Sequence, residues 1–327
     1  MISDPSTTLV RRRAGDPHAA VQLPAIIVDA GDRASRRFLE FFTANIRNPN
    51  TRAAYARAIG DFCAWLEGRE VRLERVEPVT VAAYIEQLGK TKSAPTVKQA
   101  LAAIRMLCDW LVIGQVLPMN PAASVRGPSH VVTRGKTPVL TADQARQLLE
   151  EIDVTGIIGL RDRALIGLMV YSFARVSAAV SMNVEDYFQS GKRWWFRLRE
   201  KGGKRHEVPA HHNAEAYLDA YLVAAGIDND RKGPLFRTIG RNRALTTHRL
   251  HRIDVLRMVY RRTTAAGLDV HACCHTFRAT GITAYLNNGG TIEQAQQIAA
   301  HESPRTTKLY DRTNDELTLD EIERIVI

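Results

Sequence analysis

Four residues near the end of the chain, His275, Arg278, His301 and Tyr310, carry the side chains needed to break a phosphodiester without a metal. An arginine presents a planar fork of donors that fits two phosphate oxygens. A histidine titrates near neutral pH and can take the proton of a tyrosine. The phenolate can then attack phosphorus and hold it covalently.

The surrounding sequence supplies elements that would bring the four together. His275 and Arg278 are three apart and so share a helical face. That helix is expected to run on through Ile282, Tyr285 and Leu286 until Asn287-Asn288-Gly289-Gly290 ends it. Thr291 and Gln294 have the spacing of a capping box, opening a second helix that ends near His301. Ser303 and Pro304 have the form of an N-cap and first helical position, which puts Tyr310 on the second turn of a third, short helix.

The ordered set resembles the C-terminal signature of the tyrosine recombinases, the phage integrases and Xer-type enzymes. The family pattern is His-x-x-Arg, then Gly-His followed by Ser-x-x-Thr-Thr-x-x-Tyr. Here it reads His275-Thr276-Phe277-Arg278, then Ala300-His301, Ser303, Thr306-Thr307 and Tyr310. A register starting at His271 would put Cys274 where the arginine belongs. His-x-x-Arg alone is a weak signal, whereas the whole set at these spacings is a specific one.

The bulk properties agree with a nucleic-acid partner. A chain of 327 residues has room for two domains, each able to bury a core. Its apolar share of 45% is that of a soluble globular protein. No window approaches the ~18 uninterrupted apolar residues of a membrane span, and the N-terminus lacks the apolar core of a signal peptide. A formal net charge of +10 and a pI near 9.7 point to a polyanion. Cys63, Cys108, Cys273 and Cys274 form no disulfide framework, which fits a reducing cytoplasm. His271, Cys273, Cys274 and His275 lie close in sequence, but no second ligand pair has zinc spacing. The two cysteines are therefore read as small apolar residues at a helix start.

Residues 1–30, with Arg11-Arg12-Arg13, read as a tail without a firm fold. Residues 31–123 read as four helices. Asp32 caps the first, which buries Phe38, Leu39, Phe42 and Ile46. The second follows Asn48-Pro49-Asn50 and aligns Tyr55, Ile59, Phe62 and Leu66. Thr80 caps the third, with Val81, Tyr84, Ile85 and Leu88 inward. The fourth starts at Ser93-Ala94-Pro95 and repeats Val97, Leu101, Ile104, Cys108 and Leu111 in steps of four and three. Lys98 and Arg105 form a separate stripe on it, and Lys90 and Lys92 precede it. The stripe is either a groove-facing edge or an ordinary solvated face. This module resembles the helical core-binding domain of integrases and Xer recombinases. Asn50-Thr51-Arg52 and Asn120-Pro121-Ala122 carry the likeness, and Arg52 joins the DNA-contact candidates.

Residues 124–138 read as a basic linker, broken by Gly127-Pro128, Gly135 and Thr137-Pro138 and charged by Arg126, Arg134 and Lys136. In the domain 139–327, Thr141 and Gln144 form a capping box ahead of helices near 142–152 and 160–173. Ala174-Arg175-Val176-Ser177 then resembles the family's Arg-x-Ser-Glu, which makes Arg175 the first phosphate-binding arginine. Ala178 stands where the family has its acid, and Phe173 where it has a glycine. Residues 194–198 and 205–209 read as strands around Gly202-Gly203. This hairpin is similar to the family's Gly-Lys-Gly-x-Lys-x-Arg, written here Glu200-Lys201-Gly202-Gly203-Lys204-Arg205. The resemblance makes Lys201 the general acid, with Lys204 its nearest competitor. Helices are expected near 213–225 and 247–264. The basic run 237–249 overlaps the second of these, and within it Arg241 and Arg243 are phosphate-contact candidates. Residues 320–327 read as a short amphipathic helix that docks either on a neighbouring subunit or on its own domain.

The resemblance implies a mainly α fold with a small antiparallel β-sheet: a helical SAM-like core-binding domain followed by an α+β catalytic domain. It implies a site-specific recombinase in which Tyr310 cuts a strand, leaving a 3′-phosphotyrosyl bond and a free 5′-hydroxyl. Arg175, Arg278 and His301 would stabilise the pentacoordinate phosphorus, His275 would accept the Tyr310 proton, and Lys201 would protonate the leaving oxygen. The covalent bond keeps the phosphodiester energy, so rejoining needs no ATP, and neither metal nor other cofactor is implied. The implied partners are double-stranded DNA recombination sites, a homotetramer on paired sites and accessory DNA-bending proteins, in the cytoplasm at the nucleoid. Two alternatives stay open: a type IB topoisomerase, and a relative that binds DNA without cutting it, for which Ala178 is the only support.

Overall fold

The computed structural model describes residues 23–132 and 135–311, with the side chain of Lys201 outside that set. The arginine triplet, Arg134 and the helix expected at 320–327 lie outside the described residues. The chain divides between Val131 and Val132 into two compact units.

The first unit is helical. It contains α1 (Ala25–Asp29), α2 (Asp32–Glu40), a π-helical turn at Phe41–Asn45, α3 (Pro49–Glu67), α4 (Pro78–Gly89) and α5 (Ala94–Ile113). Asn48 caps α3 by accepting the N–H groups of Asn50 and Thr51, and Pro49 at the first position loses nothing by lacking an N–H. Ile59, Phe62, Cys63 and Leu66 of α3 share one core with Val97, Leu101, Ile104, Cys108 and Leu111 of α5.

Several expectations need correction here. The supposed tail includes α1, whose Ile26 and Ile27 are buried in that core and whose Ile26 N–H is held by Glu67 at 2.9 Å. Gly31, not Asp32, occupies the N-cap of α2, with a φ of 96° that suits glycine. Asp32 instead sits in the first turn, where a carboxylate favours the helix dipole. Leu39 is exposed, because Phe38, Phe41 and Phe42 fill the core through the π-helical turn. Thr80 is the third residue of α4, and its hydroxyl accepts the Glu77 N–H in a box whose cap is Glu77. The expected linker also begins too early. Val125 is buried, and Arg105 donates to the carbonyls of Ala122 and Val125 at 3.1 and 2.8 Å.

The second unit mixes helices with small antiparallel sheets. It runs α6 (Ala142–Glu150), α7 (Ile157–Tyr171), α8 (Val176–Ser181), β1 (Tyr187–Ser190), β2 (Arg193–Arg199), β3 (Arg205–Pro209), α9 (His212–Ala225), β4 (Arg237–Ile239), β5 (Leu245–Arg249), α10 (Arg252–Ala265), α11 (Cys274–Asn287), α12 (Ile292–Ile298) and α13 (Pro304–Lys308). Strands β1, β2 and β3 form one antiparallel sheet in that order, and β4 pairs with β5. The strand pair corrects the helix expected from 247. Thr246 and Thr247 are β-branched, which suits a pleated strand, and α10 starts only at Arg252.

Helix α7 is the spine of this unit. Leu165, Leu168 and Met169 are wholly buried, and α9 and α11 pack against it. At Gly281 of α11 an added Cβ would stand 2.0 Å from the Val170 carbonyl oxygen, so glycine permits the close approach of the two helices. Buried Asp162 of α7 accepts from Arg161 at 2.7 Å and from Arg262 and Arg261 of α10 at 2.8 and 3.1 Å. A buried carboxylate needs such partners to remain charged.

Candidate active site

Helix α11 is the platform. Thr276 closes its first turn by accepting the Cys273 N–H at 3.0 Å. Arg278, 1% exposed, uses its two terminal nitrogens as separate arms. One donates to the carbonyl of Phe173, and the other reaches the carbonyl of Ala299 at 2.6 Å. Phe173 lies two residues before Arg175, and Ala299 lies two residues before His301. Arg278 therefore fixes the two chain turns that deliver Arg175 and His301.

Those turns are unusual. Phe173 has a φ of 54° and Ala300 a φ of 48°. Both are left-handed, a region that costs most L-residues about 1–2 kcal/mol. The family pattern has glycine at both positions, which gives that pattern a conformational reason there.

His301 is buried, and its Nδ1 lies 2.9 Å from the hydroxyl of buried Thr307. Its ring is parallel to that of Tyr310, with an interplanar angle of 6° and centroids 5.8 Å apart. Tyr310 is not on a second helical turn as expected. Helix α13, capped by Ser303, ends at Lys308, and Tyr310 follows it with its N–H on the Thr307 carbonyl at 2.9 Å. The Thr283 hydroxyl of α11 holds the Tyr310 carbonyl at 3.0 Å. Chain turn and platform helix thus seat the tyrosine together.

Burial and then the charges of Arg278 and Arg175 push the His301 imidazole down to about 3. The same causes in the same order lower His275. Both histidines are therefore neutral at pH 7. Burial, and next the charge of Arg175, brings Arg278 down to about 10, while Glu200 and Tyr310 act in the opposite sense, so the guanidinium stays cationic at neutral pH. These mutual effects place His275, Arg278, His301, Tyr310 and Arg175 in one electrostatic neighbourhood.

Arg175 sits at the N-cap of α8 with its side chain 26% exposed, and it is ion-paired to the nearly buried carboxylate of Glu200. Ala178 is wholly buried in the apolar core of the unit. Glu200 ends the β2 arm of the hairpin. Its N–H donates to the Lys204 carbonyl at 2.8 Å, and its carbonyl accepts from Gly203 at 3.0 Å, closing the loop that contains Lys201. Lys204 is exposed. Sequence reading passed over Glu200, although an acid at the hairpin position where the family has glycine was the available signal.

The outlying candidates separate clearly. Lys90, Lys92, Lys98, Arg241 and Arg243 are exposed. Arg52 and Arg105 are engaged within the chain: Arg52 donates twice to the Ile46 carbonyl at 3.1 and 2.9 Å, and Arg105 is bound as described above. Among the described residues no group of three or more His, Cys, Asp or Glu side chains could hold a metal ion.

Comparison with known proteins agrees with this geometry. Residues 138–316 match the phage integrase family, and residues 36–114 match the phage integrase N-terminal SAM-like domain. Tyrosine recombinase XerC of Chlamydia muridarum is 30% identical over 237 residues, covering 71% of each chain. XerC of Pelobacter propionicus is 29% identical over 282 residues, 85% of this chain and 89% of the relative. In fold, the chain is similar to the XerH site-specific recombinase bound to a palindromic difH substrate, with a TM-score of 0.69 at 16% identity over 94% of this chain and 89% of that one. It is likewise similar to a lambda integrase tetramer bound to a Holliday junction, with a TM-score of 0.65 at 16% identity over 87% and 78%. The chain belongs to the phage integrase family, the tyrosine recombinases that cleave and rejoin DNA strands.

Proposed function

We propose that this chain is a site-specific DNA recombinase whose nucleophile is Tyr310. The observation that carries the reading is the meeting of Tyr310 with the His301 ring and the buried Arg278 guanidinium, with Arg175 beside them. The Tyr310 oxygen forms a bond to phosphorus as the bond to the 5′ oxygen breaks. Its proton goes to His275, whose lowered pKa keeps a free ring nitrogen at neutral pH. Lys201 gives the 5′ oxygen its proton. Arg175 and Arg278 offset the charge that builds on the phosphoryl oxygens. His301 contributes as a neutral donor rather than a cation. If the Thr307 hydroxyl donates to Nδ1, the ring proton sits on Nε2 and can face a phosphate oxygen. Attack by the 5′-hydroxyl of a partner strand reverses the chemistry and releases Tyr310.

The exposed Lys90, Lys92, Lys98, Arg241 and Arg243 serve as contacts to the phosphate backbone. Four copies act on two paired sites, as the lambda integrase tetramer on a Holliday junction suggests. The protein works in the cytoplasm at the nucleoid with accessory bending proteins, and no helix among the described residues is long and apolar enough to cross a membrane.

A covalent-adduct experiment tests this. Purified protein is incubated without magnesium with labelled duplexes tiled across the DNA flanking its gene, each nicked so that the cleaved strand's short fragment escapes. A labelled band shifted on a denaturing gel, absent in Tyr310→Phe, is the expected result. DNA binding across the tiles with no adduct from wild type would overturn the reading in favour of a binding-only relative. Relaxation of an unrelated supercoiled plasmid would favour a topoisomerase.

A further inference from the structure

The carboxylate that meets Arg175 comes from an unexpected place. Residue 178, three positions after the arginine, is alanine and lies sealed in apolar core. Glu200 reaches Arg175 from the end of β2 instead, 25 residues away in sequence, with its side chain 3% exposed. An ionised carboxylate so buried is stable only when paired, and Arg175 is the partner. Its field also reaches Arg278, where it counters the depressing effect of Arg175. The same residue closes the hairpin loop through both of its backbone groups, to Lys204 and Gly203. One residue thus joins the first arginine to the loop that contains Lys201.

Resting on the recombinase reading above, we propose that Glu200 is a positioning residue that couples Arg175 to the Lys201 loop. Its carboxylate holds the loop against the phosphate site, so that the lysine reaches the leaving 5′ oxygen. This assigns Glu200 to the leaving-group half of the reaction rather than to DNA affinity. The physical logic is that a residue fixed by an ion pair at its carboxylate and by hydrogen bonds at its backbone holds its neighbour within the fraction of an ångström that proton transfer demands. Gly202 and Gly203 of the loop, both at a φ of 80°, have no side chains to help fix it there.

The test uses full-length protein and the nicked duplex that gives the adduct with wild type, in two forms. One has the ordinary 5′ oxygen at the cleaved bond. The other has sulfur there, whose thiolate leaves without a proton. Glu200→Gln keeps the shape of the side chain and removes its charge. On the oxygen duplex its single-turnover cleavage is expected to fall by about 10- to 100-fold, with DNA affinity unchanged. On the sulfur duplex the gap to wild type should close to within about threefold, whereas a merely structural defect would slow both duplexes alike. Lys201→Ala should show the same selective rescue. Equal loss on both duplexes, loss of DNA binding, or no loss at all would each overturn the coupling. Absence of any wild-type adduct would instead count against the recombinase reading and remove this inference with it.

Discussion

Arg278 donates to the carbonyl of Phe173, a hydrogen bond that spans 105 residues of sequence inside a buried site. Its other arm holds Ala299. Both acceptors belong to buried residues, so truncating the arginine strands two carbonyls away from water. We expect Arg278→Ala to lose about 2–4 kcal/mol of stability and Arg278→Lys about 1–3 kcal/mol, because an ammonium cannot fork to both carbonyls. Urea denaturation with an unchanged slope reads the loss directly. A lysine variant as stable as wild type would show that the fork is not what fixes the two turns.

The left-handed turns give a prediction with two signs. Ala300 has a small side chain, and replacing it with glycine removes about 1–2 kcal/mol of backbone strain against about 0.5–1 kcal/mol of lost chain stiffness. Ala300→Gly should therefore be neutral to slightly stabilising. Phe173 has the same backbone conformation but is buried against Ile282 and Leu286. Removing its ring costs about 3–5 kcal/mol, more than the strain it relieves, so Phe173→Gly should destabilise. Thermal melts of the two variants separate the cases. If both moved in the same direction, the glycine-for-strain argument would fail.

The sequence disclosed the chemistry better than its supports. His275, Arg278, His301 and Tyr310 were legible because one short stretch carries them all, and helix periodicity with caps at Thr291 and Ser303 placed their elements. Glu200 was hidden because its partner is 25 residues away, and the ion pair exists only once the hairpin folds onto α8. Arg105 read as a surface cation because periodicity shows which helix face is polar but not what covers it. Here the chain returning through Ala122 and Val125 covers it. Leu39 failed for a related reason, since Phe38, Phe41 and Phe42 take the buried face and leave it outside.

Proton linkage at His301 predicts an acid sensitivity. Its folded-state pKa of about 3 lies below the unfolded value of 6.5, so the folded chain binds fewer protons between these limits. The contribution is complete above pH 6.5 and is lost as pH falls toward 3. At pH 5 the loss from this one group is about 2 kcal/mol. His301→Gln should flatten the fall of Tm between pH 7 and pH 5, even though it is less stable at pH 7. A slope as steep as that of wild type would assign the acid sensitivity elsewhere.

His275 should produce a kinetic counterpart. Its pKa is also lowered, so the base is unprotonated at neutral pH and cleavage should hold steady as pH drops toward 6.5. Below its pKa the rate should fall about tenfold per pH unit. His275→Ala should be slow throughout and lack that acid limb. An acid limb that survived unchanged in the variant would remove His275 from the role of base.

Lys98 and Arg105 stand seven residues apart on α5, yet their surroundings assign them different work. Lys98 is exposed, and if it meets phosphate, Lys98→Ala should lower the slope of log affinity against log salt by about 0.9 and leave stability within about 0.5 kcal/mol of wild type. Arg105 is bound to the carbonyls of Ala122 and Val125. Arg105→Ala should instead cost about 1–3 kcal/mol of stability and leave the salt slope unchanged. Measuring both quantities on both variants is decisive, because a DNA contact and a structural clamp exchange their signatures. If Arg105→Ala lowered the salt slope while its melt stayed put, its guanidinium would be leaving those carbonyls to meet DNA.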